Sequence, residues 1–254
     1  MNRPFDPYSS SPLRPRLSFG GGALTPGIKI IIITCVVVFL MQALVPGQIL
    51  EQIFGLSPAA FLRHFWLWQP VTYLFLHSTV TLMHLLINML MLWMFGTELE
   101  RRWGTQAFLQ FYLVCGIGAG LFTVAAAPLS YLVGASPVLF SSTPTIGASG
   151  AIYGLMAAHA ILFPDRIILL LFIFPMRMRP AVLLMAGLTF FNALSAPGST
   201  ISHVAHLGGM VVAWLYLRRA WNPFRMWKEW RWRSRRRKYR VITDLHDEDD
   251  ARFH

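Results

Sequence analysis

Ser149 lies in the run Ile146 to Gly154, IGASGAIYG, a hydroxyl among small residues at the head of an apolar segment. A serine hydroxyl is a weak nucleophile until a base within hydrogen-bond reach takes its proton. His206, in the run AHLGG from Ala205 to Gly209, is the base this chain offers. His84 and Asn88, in HLLIN, stand four residues apart and so share one face of a helix. Together with the Ser149 backbone N–H they supply hydrogen-bond donors for the oxyanion of an acyl-transfer intermediate. Each residue alone has a plainer reading. Small residues at four-residue spacing, such as Gly150 and Gly154, pack membrane helices together, and a serine beside them often bonds its own backbone. Their coincidence at one depth on three separate segments favours a site.

The elements that must position these groups are apolar spans. Of 254 residues, 55% are hydrophobic and only 13% charged, with a mean hydropathy of +0.52. A soluble domain carries about a quarter charged residues, so composition points to a membrane protein. Segments around 28–45, 82–95, 107–127, 146–163, 181–194 and 201–217 read as six membrane helices in an all-α bundle. The stretch 167–174 is apolar but too short to cross, and Pro175 and Pro180 bracket a basic turn holding Arg177 and Arg179. Between 46 and 77 the aromatics Phe61, Phe65, Trp66, Trp68, Tyr73 and Phe75 fit a first loop lying in the membrane interface. The expected organisation is a flexible cytoplasmic arm over 1–27, a membrane domain over 28–219, and a cytoplasmic tail over 220–254, first basic and then acidic.

An even number of spans puts both termini on one side. Arg101, Arg102, Arg166, Arg177, Arg179 and the basic tail then fall on that side, against Arg63 on the other, so both ends are expected in the cytoplasm. The polar groups of the second, fourth and sixth helices then gather toward the outer face. The formal net charge of +11 is concentrated between Arg225 and Arg240, which suits a tail lying on anionic headgroups rather than nucleic acid. Cys35 and Cys115 both fall in apolar segments and imply no disulfide framework.

A catalytic triad needs an acid. Between Gln106 and Lys228 the sole carboxylate is Asp165, sixteen residues past Ser149, or about 24 Å along a continuous helix. A serine hydrolase here would therefore use a Ser149–His206 dyad, with Tyr153, one turn from Ser149, packed on the histidine. His77 and His203 flank the site and read as ordinary interfacial groups, while Glu98, Glu100, Arg101 and Arg102 read as a structural turn of caps and ion pairs.

The combination of GASG at 147–150 with Tyr153, HLLIN at 84–88, AHLGG at 205–209, and Gly96, Glu100 and Gly104 in GTELERRWG resembles the rhomboid family of intramembrane serine proteases. Trp68-Gln69-Pro70 in the first loop is also similar, and the resemblance covers roughly residues 27–219. It implies a six-helix bundle with an outward-opening cavity, whose substrates are transmembrane proteins and which uses no metal or cofactor. By the same resemblance Ser149 is the nucleophile and His206 the general base and acid. His84, Asn88 and the Ser149 amide form the oxyanion hole, Tyr153 packs on the histidine, Gly209 is the close helix contact, and Gly147 and Gly150 support it.

Two other functions fit parts of this pattern. One is a non-proteolytic, chaperone-like binder of membrane helices on the same fold, against which the intact Ser149 and His206 argue. The other is a small transporter, against which the chain shows no inverted repeat and no intramembrane carboxylate to couple ions. The plain arm and minimal layout suggest a prokaryotic plasma membrane.

Overall fold

The computed structural model describes residues 22–132, 144–170, 173–195 and 200–218. The chain is mostly helical. Helix α1 (Pro26–Leu44) leads into a first loop built from α2 (Ile49–Phe54), α3 (Pro58–His64) and α4 (Gln69–Thr72). Then come α5 (Leu82–Trp103), α6 (Thr105–Leu132), α7 (Ser149–Leu162), a hairpin of β1 (Ile167–Leu170) and β2 (Phe174–Arg177), α8 (Met178–Ser195) and α9 (Thr200–Leu217). Three helices, Pro26–Leu44, Leu82–Trp103 and Thr105–Pro128, are long and apolar enough to cross a membrane. Ser149–Leu162, Met178–Ala193 and His203–Leu217 are apolar but shorter.

Local chemistry sets the helix ends. Pro26 begins α1, where its missing N–H costs nothing, and Ser57 caps α3 by accepting from the Ala60 amide at 3.3 Å. Gly104, at φ +83°, ends α5 and donates to the Glu100 carbonyl at 2.7 Å. The second helix was expected to stop at Phe95, but α5 runs on through Gly96 and carries TELERRW in its last two turns. Gly96 is there for packing rather than for termination. A Cβ at that position would collide with Ile28 of α1 and stand 3.1 Å from the Phe108 ring of α6.

Glu100, one turn further, fastens three elements. Its carboxylate accepts from the amides of Gly27 at 2.7 Å and Ile28 at 3.0 Å, from the Thr105 hydroxyl at 2.7 Å, and from the Thr25 hydroxyl. It thereby caps the N-terminus of α1, where a negative charge is favoured. The last residues of the N-terminal arm join this dock, since the Gly22 carbonyl accepts from the Trp93 indole and the Ala23 carbonyl from Arg101. Residues 1–21 of the arm, and the tail from 219 onward, lie outside the described residues. A second unit begins at Trp214, and among its described residues the Arg218 guanidinium sits 4.5 Å from the Trp214 ring centroid.

At the other end of α1, Gln42 is fully enclosed and holds the first loop. Its side-chain oxygen accepts from the His77 amide at 3.0 Å, and its amide nitrogen donates to the His77 carbonyl at 2.9 Å and to Glu51 at 2.6 Å. The loop is also tied inward through Leu56, which pairs both backbone groups with Thr145 at 2.9 Å.

Three further boundaries differ from expectation. Helix α6 begins at Thr105 and passes through Pro128 instead of ending at Ala127, and α7 starts at Ser149 rather than Ile146. The chain is also not purely helical. The apolar stretch after Pro164 forms β1, which pairs antiparallel with β2 in the register Ile167 to Arg177 and Leu170 to Phe174. β-Branched Ile167 and Ile168 favour the strand, and Pro175 is tolerated because a two-stranded sheet consists only of edges. The expected basic turn is thus divided: Arg177 closes β2, while Arg179 and Pro180 sit in the first turn of α8, where a proline is harmless.

Replacing Glu100 with alanine leaves the α1 terminus without its acceptor and should cost about 3 kcal/mol, the range for hydrogen bonds to a charged group. Reversible unfolding in mixed micelles checks this. A loss under about 0.5 kcal/mol, within the noise of an ordinary surface change, would contradict the anchoring role.

Candidate active site

The site forms where α7 begins. Gly147 takes φ +119°, a conformation that side-chain-bearing residues rarely adopt, and its amide donates to the Tyr73 carbonyl at 2.9 Å. This bend aims the chain into α7, with Ser149 as its first helical residue. The Ile152 amide bonds the Ala148 carbonyl at 3.1 Å. The amides of Ser149, Gly150 and Ala151 therefore precede the first intrahelical bond and remain available as donors.

Helix α9 comes to α7 across glycine. A Cβ on Gly209 would collide with the Gly150 carbonyl oxygen, and one on Gly154 would stand 3.2 Å from the Gly209 carbonyl oxygen. A Cβ on Gly150 would lie 2.8 Å from Ala119 of α6, and one on Gly208 would meet Phe122 at 2.7 Å. Such backbone contact needs small residues on both helices. Its result is a distance of 2.7 Å between His206 Nε2 and Ser149 Oγ. The Tyr153 ring stacks on the imidazole with centroids 4.2 Å apart and planes 2° from parallel. That contact fixes the ring plane, while His206 Nδ1 is buried with no hydrogen-bond partner among the described residues.

His84 Nε2 lies 3.0 Å, and Ser149 Oγ 3.9 Å, from the point a Cβ on Gly147 would occupy, so both flank the same small space. Its other nitrogen, Nδ1, accepts from the Ser78 amide at 3.2 Å. This bond leaves Nε2 as the protonated, donating nitrogen. Asn88 is buried, and its side-chain amide donates back to the His84 carbonyl at 2.7 Å. It braces the helix beneath His84, a bond that uses one of the two N–H groups of the amide.

Of the flanking histidines, His77 is fully buried with its ring 5.3 Å from that of His84, and burial together with His84 pushes its pKa down to about 4. It is neutral at ordinary pH and adds no charge beside the site. The His203 ring meets that of His206 edge-on at 6.2 Å. No group of three or more His, Cys, Asp or Glu among the described residues is arranged to hold a metal. Asp165 lies beyond the far end of α7, 3.6 Å from Arg177.

Two contributors were not legible beforehand. Tyr73 supplies the carbonyl that holds Gly147, and its hydroxyl donates to the Gly116 carbonyl at 2.7 Å while lying 3.3 Å from the Cβ position of Gly150. Gln42 fixes the segment that carries His77 toward His84. A lone amide side chain in the apolar C-terminal half of α1 was the available signal for the second. The first gave none within a loop full of aromatics.

These helices and this constellation define a membrane-embedded, rhomboid-like fold. The model of the Rhomboid domain matches residues 64–222, more than half of the chain, and the protein belongs to the rhomboid family. It is 34% identical over 134 residues to Rhomboid protein 1, mitochondrial, of Saccharomyces cerevisiae, covering 52% of this chain and 36% of that one. It is 33% identical over 155 residues to Rhomboid protease AarA of Providencia stuartii, covering 57% and 53%. To Rhomboid protease GlpG of Serratia proteamaculans it is 28% identical over 201 residues, covering 76% and 61%. The chain thus spans less than two thirds of the length of these relatives. The family and the apolar helices make it an integral membrane protein. The expectation of a prokaryotic plasma membrane finds no support here, because the similar relatives include mitochondrial proteins.

A Gly209→Ala substitution should destabilise the fold by about 2 kcal/mol through overpacking against Gly150. Gly187→Ala, on an exposed part of α8 with nothing within 4 Å of the new Cβ, should be neutral or stabilising by up to about 1 kcal/mol. Comparing the two by unfolding in the same micelles tests the close approach. Equal effects would refute it.

Proposed function

We propose that this protein is an intramembrane serine endopeptidase that cuts transmembrane segments of other membrane proteins with a Ser149–His206 dyad. The observation that carries this reading is the 2.7 Å approach of His206 Nε2 to Ser149 Oγ, with the imidazole plane held by Tyr153. His206 takes the hydroxyl proton as Oγ attacks the scissile carbonyl carbon. It then returns that proton to the leaving amine, and water releases the acyl group by the same route in reverse. The negative oxygen formed on attack is met by the Ser149 amide at the head of α7 and by His84 Nε2, with Asn88 keeping His84 in place. Orientation of the histidine by an aromatic stack stands where a triad would have an acid.

In this reading α1, α5, α6, α7, α8 and α9 are the six spans, with both termini in the cytoplasm and the site opening to the outer side. α7 is 14 residues long, about 21 Å at 1.5 Å per residue, too short for the whole bilayer core. Ser149 then sits below the outer surface, at a depth water reaches through the cavity and where a substrate helix is exposed to cutting. The first loop lies in the outer interface, where the Trp66 and Trp68 rings stack at 5.6 Å. The basic tail over 220–254 is assigned to anionic headgroups on the cytoplasmic face. No nucleic acid, metal or cofactor takes part. The similarity to relatives named as rhomboid proteases supports the same activity.

Purified protein in liposomes should cleave a generic single-span membrane substrate. Ser149→Ala and His206→Ala, at equal folded concentration, should abolish cleavage, and His84→Ala should slow it about a hundredfold, the cost of losing one oxyanion donor. Asn88→Ala should lose less, because its contact runs through His84. Undiminished cleavage by Ser149→Ala would sink the mechanism. Retention of the substrate without cleavage by the native chain would favour a non-proteolytic binder of membrane helices.

A further inference from the structure

The β1–β2 hairpin is not used by this chemistry. It lies beyond the far end of α7 from Ser149, and its composition is unusual for a surface turn. Successive residues point to opposite faces, so Ile167 and Leu169 lie on one face and Ile168 and Met176 on the other. Ile168, Leu169 and Met176 are half-buried, but each face keeps an exposed apolar residue. Ile167 is 48% exposed, Phe174 57% and Ile173, at the turn, 69%. A two-stranded hairpin with apolar residues on both faces is at best marginal in water, and its free edges invite pairing. In an apolar medium both objections disappear.

The base of the hairpin is charged and one-sided. From Pro164 to Pro180 the chain has Arg166, Arg177 and Arg179 against the single acid Asp165. Arg166 is bonded to Glu98 of α5 and lies 5.5 Å from the Phe163 ring centroid, which fixes the root of β1. Arg177 is 70% exposed despite Asp165 at 3.6 Å, and Arg179 is exposed as well. Their long stems can lie along apolar surface while the guanidinium heads reach phosphate. The apolar surface also continues past the base, because α8 leaves β2 with Leu183 and Leu184 exposed.

We propose that the hairpin is a membrane-surface anchor that seats its apolar strands in the inner leaflet and binds anionic phospholipid headgroups through Arg177 and Arg179. The occupant follows from charge and continuity. Net positive charge around an exposed apolar element selects an anionic interface, and the same exposed surface runs directly into α8. The anchor rests on the proposed topology, with the hairpin on the cytoplasmic side, and not on Ser149 being a nucleophile. It therefore stands or falls separately from the protease reading.

The test uses the full chain with Ile173→Cys carrying an environment-sensitive fluorophore. Cys35 and Cys115 are buried and stay unlabelled in the folded protein. Gln106→Cys, exposed at the start of α6, is the water-facing control. The proteins are reconstituted in phosphatidylcholine vesicles with or without phosphatidylglycerol, and probed with nitroxide-labelled acyl chains or with iodide on both sides of the membrane. The label at 173 should be quenched several-fold more by nitroxide lipid, and several-fold less by iodide, than the label at 106. Phosphatidylglycerol should increase the difference, and Arg177→Gln with Arg179→Gln should remove that increase. Iodide access at 173 equal to that at 106 would overturn the anchor. Protection from both quenchers would also overturn it, pointing to a protein surface over the hairpin. Indifference of the native chain to phosphatidylglycerol would overturn the assignment of anionic headgroups.

Discussion

The structure depends on one close approach, that of α9 to α7 at Gly209 and Gly150. The Gly209 position has no room for even a methyl group beside the Gly150 carbonyl, so the two backbones touch. Within a membrane the hydrophobic effect does not press helices together, and this surface gains its stability from dispersion and from polar groups that pair across it. The Ser149–His206 pair is one such contact and the Tyr153–His206 stack another. What makes the geometry suit chemistry is that both depend on the glycine contact. A separation of α7 from α9 by the width of one methyl group would take a 2.7 Å hydrogen bond beyond bonding range.

Around this contact the polar residues divide into anchors and a working set. Glu100 gathers the start of α1, the end of α5 and the start of α6, and Gln42 with Glu51 holds the loop that reaches His77. Both are buried groups with several partners, as enclosed polar atoms require. The buried side-chain atoms left without partners among the described residues are three histidine nitrogens, His206 Nδ1, His203 Nδ1 and His77 Nε2, and two hydroxyls, those of Tyr112 and Thr145. The three histidine nitrogens can each take a further partner such as water.

Much of this was legible in the sequence because membrane helices impose simple rules. The apolar runs gave the order of the helices, and the i, i+4 spacing put His84 and Asn88 on one face. Asp165, the sole carboxylate between Gln106 and Lys228, left Ser149 and His206 as a pair, and the two stand 2.7 Å apart. What was not legible depended on partners distant in the chain. Gly96 looked like a helix stop because its reason for being glycine is Ile28 and Phe108, on two other helices. Spacing alone likewise does not reveal that the Asn88 amide gives one of its two N–H groups to the His84 carbonyl. The hairpin escaped because eight apolar residues in a row carry no period that distinguishes a strand from a short helix.

The most direct measurement is reaction of the folded protein with a fluorophosphonate, which labels serines whose hydroxyl is activated, followed by mass spectrometric location of the adduct. The account predicts a single adduct on Ser149, lost in His206→Ala and weakened in Tyr153→Ala, whose histidine has lost its stack. Labelling of Ser149 that is unaffected by His206→Ala, or an adduct on another serine with Ser149 unmodified, would contradict it.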